Sequence, residues 1–129
     1  MYIFTVVDDV KKVIEGLRNQ YGEFTLAMLY SSGTLQAGAN WNLIVSAPWT
    51  DRMGIAHATR AITNALDQGL ELQDKLAISR VSVLKTKDPF VRDMTRLYDV
   101  GSPLDTPVQM PAGEITEGSA FILYSKRAA

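Results

Sequence analysis

The sequence predicts an α+β domain built on a single mixed β-sheet of about five strands, with helices packed mainly on one face. Three observations carry this. Apolar residues recur at helical spacing near residues 6–20, 52–68 and 89–98, and at alternating spacing in the short runs 24–30, 41–47, 80–86 and 120–125. These runs intersperse in the order α-β-β-α-β-α-β-β, which suits a sheet backed by helices. The 129 residues, 47% of them hydrophobic and 21% charged, match one ordinary globular domain. Residues 1–129 show neither an internal repeat nor a linker that would divide them.

The first helix is read from Val6, Val10, Val13, Ile14, Leu17 and Tyr21 on one stripe. Thr5 is its expected N-cap, with Asp8 three residues on, and Gly22 supplies the left-handed residue that ends helices. Phe24 to Tyr30 follows as a strand that is apolar on both faces and hence central. Trp41 to Ala47 is expected to pair with it as an antiparallel hairpin across a long, polar connection. Pro48 stops that strand, and Thr50 or Asp51 is placed to cap a second helix near 52–68 that Gly69 ends. Leu70, Leu72 and Leu76 suggest a further helical turn. Arg80 to Thr86 is the third strand, reached through a helix and therefore expected to run parallel to the second. Asp88-Pro89 opens a third helix, an acid at the cap followed by proline at the first position. Residues 102–113 read as a loop with at most a short edge strand at Val108–Met110, and Glu114–Thr116 with Ala120–Ser125 as a closing hairpin.

Composition narrows the function classes. There are 13 Lys+Arg against 14 Asp+Glu, and the cations are scattered, which disfavours nucleic acid as a partner. The absence of cysteine removes disulfides, thiolate nucleophiles and Cys-based zinc sites, and makes the cytoplasm the expected compartment. The N-terminal residues lack the pattern of a signal peptide, and no apolar run reaches membrane-span length, so no membrane partner is expected.

The candidate site is Trp49, Thr50, Asp51 and Arg52, joined by His57 and Arg60. Free backbone N–H groups at a helix start beside Arg52 would suit a small anionic ligand. Arg60 lies three residues after His57 and eight after Arg52, which on one continuous helix places the three on a common side. The competing reading makes the indoles of Trp41 and Trp49 packing anchors and Asp51 a cap. His57, the one histidine, has no GxSxG elbow to supply a nucleophile and is expected to be a surface or packed residue. The acids Asp8/Asp9, Glu71/Asp74 and Glu114/Glu117 read as helix starts, solvated faces or turns. No metal site and no cofactor are expected.

Ser31-Ser32-Gly33 followed by Asn40-Trp41-Asn42-Leu43-Ile44-Val45 resembles a degraded form of the nucleotidyltransferase pattern, in which a Gly-Ser turn precedes a strand bearing Asp-x-Asp. In that family the two acids bind magnesium. Here the matching positions are Asn40 and Asn42, and the Gly-Ser order is not kept. The resemblance therefore implies a fold relative without the metal chemistry.

With no assembled catalytic set, the expected function is a non-catalytic ligand-binding or protein-interaction module acting as a homo-oligomer, most simply a dimer. The alternative is a small enzyme acting on an anionic or nucleotide-like substrate near Thr50, Asp51, Arg52 and His57.

Overall fold

The computed structural model describes residues 2–31, 41–97 and 119–126. Across these it has five helices and one four-stranded mixed sheet of order β3-β2-β1-β4. The elements are α1 (Tyr2–Tyr21), β1 (Leu26–Ser31), β2 (Trp41–Ser46), α2 (Pro48–Met53), α3 (Ile55–Gly69), α4 (Leu72–Ala77), β3 (Ile78–Val83), α5 (Pro89–Leu97) and β4 (Ser119–Ser125). The expected class holds: α+β, one mixed sheet, helices mainly on one face. The strand expected at 114–116 and the loop at 102–113 lie outside the described residues.

β1 is central, antiparallel to β2 on one side and to β4 on the other. β2 and β3 run parallel, as a connection through helices requires. Because strand side chains alternate, the sheet has two apolar faces. Trp41, Leu43 and Val45 of β2, Ala27 and Leu29 of β1, and Phe121 and Leu123 of β4 point into the larger core with Val6, Val10, Ile14 and Leu17 of α1 and Ala58, Ile62 and Leu66 of α3. Leu26, Met28, Ile44, Ala120 and Ile122 occupy the other face with Val91 and Met94 of α5. Burial on both faces explains why β1 lacks a polar side, with Leu26 to Leu29 fully enclosed.

Several local readings change. Helix α1 begins at Tyr2, so Thr5 lies inside it rather than capping it. Its C-terminus is as expected: Gly22, at φ 126°, donates its N–H to the Arg18 carbonyl at 2.9 Å. The single helix expected at 52–68 is two helices. Gly54, at φ 94°, separates α2 from α3, a backbone angle that L side chains disfavour. Pro48, read as a strand stop, is also the first residue of α2. Gly69 is the last residue of α3 and serves a close approach. A Cβ there would sit 2.8 Å from Val13 Cγ2, so glycine lets α3 reach α1.

The α1 end, the turn after it and β4 are tied by charge. Arg18 bonds Glu23 at 2.9 Å and Glu15 at 3.2 Å, and its guanidinium lies 5.4 Å from the Tyr124 ring centre. The Tyr124 hydroxyl donates to Glu23. That bond, then Arg18, holds the Glu23 carboxyl below its usual range.

Helix α4 is inverted relative to its sequence pattern. Leu72 and Leu76 are 68% and 72% exposed, while Asp74 and Ala77 are buried. The segment does form a helical turn, but the side turned inward carries an acid.

Candidate functional site

The six residues singled out in the sequence do not converge. Trp49, in the first turn of α2, is 4% exposed. It stacks on Tyr21 with ring centres 4.7 Å apart and meets Phe24 edge-on at 5.5 Å. Its indole Nε1 is buried and has no hydrogen-bond partner, so it offers no donor to a ligand in solvent. Thr50 is also buried. Its hydroxyl accepts from the Ala47 N–H at 3.1 Å and donates to the Ala47 carbonyl at 2.8 Å, closing the start of α2 from the third helical position. The N-cap is therefore Ala47, not Thr50 or Asp51.

Asp51 has another role. Its carboxylate accepts from the Thr86 hydroxyl at 2.5 Å and from the Thr86 N–H at 3.2 Å. It clamps the segment after β3 onto α2. Asp51→Ala is expected to cost about 1 kcal/mol in urea unfolding and to speed hydrogen exchange at the Thr86 amide. Unchanged exchange there would remove the clamp.

Arg52, His57 and Arg60 are exposed. His57 and Arg60 share the outer side of α3, but Arg52 belongs to α2, across the Gly54 break, so the helical spacing that joined it to them is lost. The His57 side chain makes no hydrogen bond or ion pair among the described residues.

A recess of about 410 Å³ opens at the carboxyl end of β3, facing the start of α3. It is lined by Ile55, Val83, Leu84, Lys85, Lys87 and Asp88. None of the six expected residues lines it, although Ile55 comes from the same stretch. Its wall is locally built. Asp88 Nα–H closes a turn onto the Lys85 carbonyl at 2.9 Å, and Asp88 Oδ1 accepts from the Phe90 N–H at 2.9 Å, capping α5 as the Asp88-Pro89 pair predicted. Both nearby acids are thus engaged by backbone or hydroxyl donors. Lys85 and Lys87 make no ion pair among the described residues. The position is the one that favours ligands in sheets with parallel strands, outside their carboxyl ends. The signal in the sequence was Lys85-Thr86-Lys87-Asp88, which reads locally as an exposed strand end.

A second arrangement was hidden in the sequence. Asp9 of α1 and Asp74 of α4 are 65 positions apart, yet they meet. Asp74 is 3% exposed. Burial pushes its carboxyl up to about 6, helped by a hydrogen bond with Asp9 and by the negative charges of Asp9 and Glu71. The reading of Asp74 as part of a solvated face is corrected. Lys75, next to it in sequence, turns away to Asp67 of α3 at 3.1 Å. Among the described residues no group of three His, Cys, Asp or Glu side chains is placed to hold a metal ion.

Ser32, Gly33 and Asn40 of the nucleotidyltransferase-like stretch lie outside the described residues. Asn42, on β2, accepts from the Ser82 hydroxyl at 3.1 Å. No helix among the described residues is long and apolar enough to cross a membrane. Comparison with known proteins finds no matching family model, no matching curated protein and no matching solved structure.

Proposed function

We propose that this chain is a non-catalytic ligand-binding domain that acts as a homo-oligomer and takes a small anionic ligand with an apolar body. The observation that supports this reading is the recess at the end of β3. There two lysines that make no ion pair among the described residues stand beside Val83, Leu84 and Ile55. Such a site offers charge to an anionic group and apolar surface to the rest of a ligand. Asp88, the acid on its rim, is already held by the Phe90 N–H. The bond from Asp51 to Thr86 keeps the lysine-bearing segment in place before a ligand arrives, which lowers the ordering cost of binding.

The test is a nuclear magnetic resonance titration of the full chain with phenyl phosphate and benzoate, with benzyl alcohol as the neutral control. Saturable shifts are expected at the amides of 54–56 and 84–88 with the two anions. The double variant Lys85→Ala/Lys87→Ala should bind them roughly ten-fold more weakly. Equal binding of benzyl alcohol, or no saturable shift with either anion, would sink the reading. Consumption of the phosphate ester that His57→Ala abolishes would favour the small enzyme instead.

A further inference from the structure

We propose that α4 is a proton-held latch on the body of the domain: it closes on α1 while Asp9 and Asp74 share a proton, and opens as that proton leaves. The latch is separate from the recess at the carboxyl end of β3 and does not rest on a ligand there.

Little else holds α4 in place. Its six residues are too few to keep a helix in water by themselves. No side-chain hydrogen bond caps its N-terminus among the described residues. Leu72 and Leu76 stand in solvent, so their apolar surface adds nothing to docking. The residues that α4 buries are Asp74 and Ala77. Its inward face is therefore a carboxyl and a methyl group, and one methyl supplies only a small hydrophobic term. The ion pair of Lys75 with Asp67 on its flank is largely open to water on the Asp67 side and adds little. Whether Asp74 is neutral or charged thus decides how firmly the helix is seated.

The charges around Asp74 all act in one direction. Asp9 of α1 is hydrogen-bonded to it, and Glu71 acts on it from the residue before α4. Lys75 is drawn away to α3, and no cation of α1, α3 or β3 offsets the acids among the described residues. Two carboxyls in hydrogen-bond contact need a proton between them, because neither carboxylate can donate. With the proton, the pair is a bond between α1 and α4. Without it, the same atoms are two negative charges held together out of water. Burial, then Asp9 and Glu71, raise the Asp74 carboxyl to about 6 in the closed helix, against about 4 where the segment is open to water. The proton therefore favours the closed helix. Closure is firmest below about pH 4 and weakens as the pH climbs to about 6, where the closed helix ionises as well. Across that window opening becomes about a hundred-fold more frequent.

Hydrogen exchange of the full chain, followed by nuclear magnetic resonance between pH 4 and pH 7, tests the latch, with each rate divided by that of an unstructured peptide at the same pH. The amides of Lys75 and Ile78 report on it, since they donate to the Glu71 and Lys75 carbonyls in the closed helix. Their protection is expected to fall about a hundred-fold over the range and to respond little to dilute urea, the mark of a local opening. Amides of β1 and β2 should stay far better protected throughout. Asp74→Asn should abolish the pH dependence, and Asp9→Asn should shrink it several-fold. Asp9→Asn, with the wild-type profile, keeps the test decisive if the first variant does not fold. Wild-type protection at α4 that is flat with pH would overturn the latch. So would a full slope kept in either variant, or α4 amides that exchange only in step with those of β1.

Discussion

Trp49→Ala is expected to destabilise the domain by about 3–5 kcal/mol, a large part of the roughly 5–15 kcal/mol that holds a domain of this size together. The indole fills the space between Tyr21 at the end of α1, Phe24 before β1 and the start of α2, and its Cδ1 lies within 3.7 Å of where a Gly22 Cβ would be. Truncation leaves a cavity that the neighbouring rings cannot close, because Tyr21 is held in the last turn of α1 and Phe24 is itself buried in the core. Trp49→Phe keeps part of the stack and should cost less, about 1–2 kcal/mol. Chemical denaturation followed by circular dichroism measures both. The sequence offered two roles for this residue, ligand contact and packing anchor. A stable Trp49→Ala protein that had lost anion binding would reinstate the first.

Asp74→Asn is expected to stabilise the protein at pH 7 by about 2–3 kcal/mol. The carboxyl titrates near 4 in the unfolded chain and is pushed up to about 6 in the folded one. Between those values the native state holds the extra proton, so stability falls as pH rises through the window. Above it, the folded protein carries the full cost of a buried charge beside Asp9 and Glu71. Asparagine removes that charge and keeps a side chain that can donate to Asp9. The gain should therefore be full at pH 7 and near zero at pH 4, and the variant should lose the downward slope between them. Unfolding curves at several pH values decide this. Equal gains at both pH values would mean that the effect is packing, and that the two carboxyls do not share a proton in the fold.

The sheet and its covering helices were legible because their signals are local and redundant. Val6, Val10, Ile14 and Leu17 can serve only one helical face, and all are buried. The hairpin, the parallel crossover and the Asp88 cap follow from residues close in sequence. Gly54 was less legible. Nothing in Gly54-Ile55-Ala56-His57 breaks helical periodicity, and the kink depends on a positive φ that apolar spacing does not encode. Asp51 illustrates the limit for the site. Its type and position suit a cap, but its partner, Thr86, is 35 residues away and is supplied by the crossover. Helix α4 shows the same limit for burial. Leu72 and Leu76 look like core residues until tertiary packing turns Asp74 toward α1. Contacts between distant segments decided the cases of Asp51 and α4, and no local pattern carries that information.

The placement of β4 beside β1 has a bearing on synthesis. On a ribosome, Leu26–Ser31 emerges long before residues 119–125, its second neighbour in the sheet. Until then one flank of the greasiest strand has nothing to lie against, and a nascent or prematurely ended chain presents it to other chains. The interval during translation, more than the finished molecule, is when this polypeptide is most exposed to clumping.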